Sequence, residues 1–151
     1  MEGRGKPVSD TTQFSFMNNR RFYTETTVTD SADELLLTRL GANDPSYNLR
    51  RDPAFIVRRQ AAADTTFVST IESHGSYDPV SESAVNSYSN IEVLKLILDD
   101  ENCTAVSIED IGGNTSLFIL SNKDPSASKQ HRLDIDNEAF QWQGPFYYTD
   151  K

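Results

Sequence analysis

The chain has 151 residues, a hydrophobic fraction of 36%, an aromatic fraction of 10% and a net charge of −9 from 14 basic and 23 acidic residues. That length suits one domain able to bury about 70% of the surface its unfolded chain exposes, and the apolar content argues against disorder. The acidic surface repels phosphate backbones, which excludes nucleic acid and anionic membrane as partners outside a local basic patch.

Residues 1–10, MEGRGKPVSD, lack the apolar stretch of a signal peptide and read as a tag-like or flexible start, leaving 11–151 as a single domain. Helical periodicity is nearly absent beyond that point. TTQFSF (11–16) and RFYTETTV (21–28) flank MNNR, whose asparagines tolerate the left-handed conformations of a tight hairpin. ELLLTRL (34–40) is apolar on both faces and suits a central strand. GANDPSYNLRRDP (41–53) holds two Asp-Pro pairs and reads as a crossing between sheets. AFIVRRQA (54–61) is the next strand. Arg50, Arg51, Arg58 and Arg59 bracket its apolar run, either as a patch for an acidic ligand or as solubilising flanks.

TTFVSTIES (65–73) is the next candidate strand. Its two-residue period places Phe67, Ser69 and Ile71 on one face and Val68, Thr70 and Glu72 on the other, with His74 just beyond. Glu72 and His74 are then same-face neighbours roughly 7 Å apart. HGSYDPVSESAVNSYSN (74–90) reads as a loop, and connections of that length tend to be functional or interface-forming. IEVLKLILD (91–99), TAVSIED (104–110) and TSLFILS (115–121), joined at DDEN and IGGN, read as a three-stranded meander. HRLDID (131–136) and FQWQGPFYY (140–148) complete an all-β, antiparallel sandwich of about ten strands.

Glu72, His74 and Tyr77 form the richest polar cluster. Tyrosine and histidine are acid/base candidates and the carboxylate can orient the imidazole. The bland alternative has His74 capping a strand end, Gly75 in a positive-φ turn and Tyr77 packed over the edge. No third positioned group completes a catalytic set, so the cluster reads as a substrate-binding or interdomain element, with no catalytic residue assigned. Cys103 is the sole cysteine, which excludes an internal disulfide and CxxC zinc sites and favours a small buried residue at a strand start. His74 and His131 fall in distant strands. Asp134, Asp136, Asn137 and Glu138 have calcium-like spacing but lack the EF-hand glycine and flanking helices, so a strand-ending turn is the reading. No metal and no cofactor are expected. Trp142 with Phe140, Phe146, Tyr147 and Tyr148 forms either a sugar-stacking platform or part of the core.

RRFYTETTVTDSADELLLTRLGANDPSYNLRRDPAFIVRR and TTFVSTIESHGSYDPVSES resemble the C-terminal part of heparinase II/III-like polysaccharide lyases, nearest to oligoalginate lyases of polysaccharide lyase family 17. The likeness runs from about Phe14 to Tyr148, with Ser73 standing where the family commonly has proline. It implies a sandwich domain beside an α/α-toroid partner in one polypeptide, with a cleft between them for a uronate oligosaccharide. It also implies a periplasmic or secreted parent enzyme. Such lyases cleave by β-elimination: the uronate carboxylate is neutralised, the C5 proton is abstracted and the 4-linked group departs. Tyrosine, histidine and asparagine carry those steps in the family, alongside zinc ligands, but none of those motifs is matched here. The residues therefore leave three readings open: a non-catalytic lyase domain, a free-standing carbohydrate-binding module and a purely structural domain. Exposure of Trp142 and Tyr148 separates the second from the others.

Overall fold

The computed structural model describes residues 2–41, 51–60 and 62–150. In chain order its strands are β1 (Gly3–Gly5), β2 (Thr11–Asn18), β3 (Arg21–Val28), β4 (Glu34–Gly41), β5 (Arg51–Arg58), β6 (Ser69–Asp78) and β7 (Ser83–Val85). They continue with β8 (Ile91–Asp99), β9 (Cys103–Asp110), β10 (Thr115–Ser121), β11 (Gln130–Ile135), β12 (Glu138–Gln143) and β13 (Phe146–Asp150). No helix occurs among the described residues, and the fold is all-β and sandwich-like, with every strand pairing antiparallel. Among the described residues four sheets have the orders β1-β4-β5, β2-β3-β6-β7, β13-β10-β9-β8 and β11-β12.

The hairpins follow local chemistry. Asn19 and Arg20, both at positive φ (52° and 67°), close β2 onto β3, and Asp136 and Asn137 (49° and 69°) close β11 onto β12. The calcium-like run is thus a two-residue turn of the kind that matches strand twist. Asp110 holds the β9–β10 turn by accepting the amides of Gly112 (2.8 Å) and Asn114 (2.9 Å), while Gly113 supplies a φ of 81°. The β8-β9-β10 meander is present as read from the sequence.

Four expectations need correction. The described residues form thirteen strands rather than about ten. One addition is β1, which pairs with Leu35–Leu37 of β4 inside the segment read as a tag-like start. FQWQGPFYY is two strands, because Gly144 turns at φ 97° before Pro145 and the chain enters a different sheet. The strands on either side of the expected crossing lie in one sheet, where Gly41 pairs with Arg51 and β4 and β5 are neighbours; residues 42–50 of that segment lie outside the described residues. Finally, 74–90 is not one long loop, because β6 runs on to Asp78 and turns back into β7.

The main core lies between β11-β12 and the face of β13-β10-β9-β8 that carries Cys103, Ala105, Leu117 and Ile119, with Phe140 and Trp142 packed onto it. Fully burying a side chain such as Leu117, Ile119 or Phe140 contributes about 1.5–3 kcal/mol. The indole N–H of Trp142 donates to Ser121 Oγ at 3.2 Å, so its one polar atom is satisfied inside. The β2-β3-β6-β7 sheet differs. Its Phe14 stacks on Phe55 of β5 at 5.1 Å, but the opposite face is polar, with Thr24 and Thr26 buried. That polar face carries the candidate site.

Candidate functional site

Glu72 and His74 sit in the middle of β6, not at its end. Thr24 pairs with Glu72 and Tyr23 with Ser73, and then Arg21 pairs with Ser76, so β6 carries one extra residue opposite Phe22. Such a bulge shifts the alternation by one. Glu72 and His74 face inward before it, Gly75 is buried at it, and Tyr77 faces inward after it. The structure therefore brings all three sequence candidates to one face.

Both ring nitrogens of His74 are engaged. Nδ1 lies 2.7 Å from the carbonyl oxygen of Asn86, which only accepts, so Nδ1 carries the proton and donates. In the neutral ring Nε2 then accepts from the Thr24 hydroxyl at 3.0 Å, and Thr24 in turn takes a hydrogen bond from Ser15 Oγ at 2.7 Å. The chain of donors runs in one direction from β2 through β3 and β6 to Asn86. Phe22 backs the imidazole with its ring centroid 6.3 Å away.

Glu72 is similarly committed. Its carboxylate accepts from Ser89 Oγ, from the Asn90 amide at 3.0 Å and from Asn90 Nδ2 at 2.9 Å. Burial pushes its pKa up, but the hydrogen bonds from Ser89 and Asn90 outweigh that and hold the carboxyl below its usual range. The group stays ionised at neutral pH and is no proton donor. Together Glu72 and His74 fasten residues 86–90, the short connection from β7 to β8, across the polar face. Tyr77 is half-buried, and its hydroxyl has no hydrogen-bond partner among the described residues; its amide donates to the Arg20 carbonyl at 2.8 Å.

Gly75 corrects another expectation, since it is not at positive φ. A Cβ there would lie 2.0 Å from the Asn86 carbonyl oxygen and 2.3 Å from that of Val85. Glycine is needed because the returning backbone passes directly over it, with Asn86 itself turned to a φ of 50°.

The remaining sequence candidates are dispersed. Arg59 clamps the buried Asp33 in a bidentate pair (2.8 and 2.7 Å), donates to Thr65 Oγ1 at 2.8 Å and lies 5.1 Å from the Phe67 ring centroid. Arg58 and Arg4 both bind Glu34. Arg50 and the Arg51 side chain lie outside the described residues. The suggested basic patch is therefore spent, as far as it is described, on neighbouring acids. His131 lies in the β11-β12 sheet, far in topology from His74. Trp142 and Phe140 are buried, which removes them from any sugar platform, while Tyr148 remains 47% exposed. Cys103 is buried as expected, and burial with the nearby Asp100 pushes its thiol pKa up. Sequence reasoning missed Thr24, Asn86, Ser89 and Asn90. The only local signal was the hydrogen-bonding run NSYSN, Asn86–Asn90, which periodicity does not connect to β6.

Fold and site together define an all-β, sandwich-like domain whose best polar pair is used to hold its own backbone. No model of a known protein family matches the chain. It is 31% identical over 142 residues to an exo-oligoalginate lyase of Saccharophagus degradans, an alignment covering 91% of this chain and 19% of that protein. It is also 28% identical over 152 aligned positions to an alginate lyase of Stenotrophomonas maltophilia, covering 100% of this chain and 20% of that protein. Over nearly its whole length the chain is thus related to alginate lyases, and it spans about a fifth of each relative.

Proposed function

We propose that this chain serves as a non-catalytic β-sandwich part of an alginate-cleaving lyase of the heparinase II/III-like kind. The observation that carries the reading is the commitment of Glu72 and His74. β-Elimination needs a base, an acid for the leaving oxygen and a group that neutralises the uronate carboxylate, all held around one substrate. Here the His74 lone pair is taken by Thr24 and the Glu72 oxygens by Ser89 and Asn90. Arg58 and Arg59, the described arginines of the sequence patch, already hold Glu34 and Asp33.

The surface supports a neighbour in the same polypeptide. On the side of β13-β10-β9-β8 away from the core, Leu96, Val106, Phe118 and Tyr148 form one cross-strand row, and Leu120 and Phe146 pair beside it. Phe118, Leu120, Phe146 and Tyr148 are 40%, 51%, 61% and 47% exposed. A contiguous apolar face of this kind fits burial against another domain, and the helical toroid implied by the sequence resemblance is the partner we assign. We assign the parent enzyme to the periplasm or the cell exterior, which the sequence resemblance implies and where polymeric uronate is met.

The test is to incubate the purified chain with oligoalginate and follow the ultraviolet absorbance of the unsaturated uronate product. No product is expected. Turnover that survives purification and disappears in His74→Ala overturns the reading.

A further inference from the structure

A second polar site lies beside the main core, with Cys103 and Leu133 in its lining, and the alginate relationship does not by itself account for it. A cleft of about 610 Å³ opens between the β8–β9 turn, the connection from β10 to β11 and the start of β11. Its volume lies within the range of small-ligand sites, about 300–1,000 Å³. Three cations line it: Lys123, Lys129 and Arg132. On a chain with 23 acidic and 14 basic residues that convergence is unusual.

The availability of these cations is the second point. Arg4, Arg39, Arg58 and Arg59 are each held by a carboxylate in the β1-β4-β5 region. In the cleft, Lys123 makes no hydrogen bond or ion pair among the described residues. Lys129 reaches Asp124 only at 4.0 Å, and Arg132 meets Asp134 at 3.3 Å with both side chains about 60% exposed. Solvated pairs of this kind contribute about 0–1 kcal/mol and are readily exchanged for a ligand carboxylate.

The two acids in the lining are engaged by their own turns. Asp100 accepts the amides of Asn102 (2.7 Å) and Cys103 (2.8 Å), and Asp124 accepts the Ser126 amide at 3.2 Å. Asn102 adds a side-chain amide suited to hydroxyl groups, and His131, stacked on Trp142 at 5.1 Å, contributes a flat wall. The neighbouring cleft, lined by Asp64, Asp99 and Glu101, has the opposite character, so an anion is drawn to one and repelled by the other.

We propose that the Lys123–Arg132 cleft is a non-catalytic binding site for a uronate oligosaccharide. The guanidinium of Arg132 presents a planar fork to a sugar carboxylate, Lys123 and Lys129 supply point charges to the same or the next one, and Asn102 bonds hydroxyls. Carboxylate recognition follows from the lining itself; the assignment to a uronate rests on the lyase reading above. Such a site would keep a polymer close to the enzyme without taking part in elimination.

Amide chemical shifts of the full chain, titrated with a short oligoalginate at low salt, test this directly. Perturbations are expected to cluster at residues 100–103 and 123–133, to weaken at least tenfold in affinity in the double variant Lys123→Gln/Arg132→Gln, and to fade as salt rises. A neutral gluco-oligosaccharide of equal length should leave those residues unmoved, and Lys95→Gln, on β8 outside the cleft, should bind as the parent chain does. Both substituted side chains are exposed, so the fold is not at risk. Absence of shifts at the cleft, an unchanged affinity in the double variant, or equal binding of the neutral sugar overturns the proposal. None of these results bears on turnover, which separately decides the scaffold reading.

Discussion

Asp33 has no exposed surface, yet it carries a full charge, because Arg59 grips both of its oxygens and the Asp30 amide donates to one of them at 2.9 Å. The hydrogen bonds from Arg59 hold its pKa below the usual carboxylate range, against burial, which works the other way. The folded-state pKa is depressed, so the stabilisation is complete above the unfolded value of about 3.9 and is lost as pH falls through the folded value. Asp33→Ala strands a guanidinium. The expected loss is about 2–3 kcal/mol in urea unfolding at neutral pH, less than the ~3–5 kcal/mol of fully buried pairs, because Arg59 keeps 24% exposure. The variant and the parent chain should converge in stability as pH drops below the carboxylate range; a constant gap down to acid would refute this account of the pair.

At the scale of elements, β6 and β7 depend on a single missing side chain. Gly75→Ala would drive a methyl into the carbonyls of Val85 and Asn86, which are backbone and cannot swing aside. Overpacking of this kind costs about 1–3 kcal/mol, and β7 should detach first, read as faster amide exchange at Ser83–Asn86 than elsewhere in the sheet. Exchange unchanged from the parent chain would mean that the close approach has been misjudged. This glycine also shows where the sequence misleads. The ESHGSYD run looks like a strand end followed by a loop because glycine so often punctuates a strand, whereas here it marks a bulge and a close crossing by a segment eleven residues downstream in the sequence. By contrast β3, β8 and β10 were legible to the residue, since β-branched and apolar alternation is a local signal. β1 was not, because three residues of GRG carry no periodicity and are held only by β4. The same division governs the site. Glu72 and His74 could be placed on one face from spacing alone, but the bulge opposite Phe22 that adds Tyr77, and the donors at Ser89 and Asn90, are set by pairing between distant segments.

For the molecule as a whole, the acidic surface, the apolar outer face of β13-β10-β9-β8 and the polar layer over β3 and β6 fit the scaffold role proposed above, in which reactive side chains serve architecture. Its interior is divided accordingly, with an apolar core under β11-β12 and buried threonines and acids in the sheets before it. The central claim is that Glu72 and His74 exist to fasten residues 86–90. Amide hydrogen exchange in Glu72→Ala tests it most directly, because the Asn90 amide donates to Glu72 at 3.0 Å and the Ile91 amide to Ser89 Oγ at 3.1 Å. The account predicts exchange at Asn90 and Ile91 at least tenfold faster than in the parent chain, with amides of β9 and β10 unaffected; protection at Asn90 and Ile91 equal to that of the parent chain would contradict it.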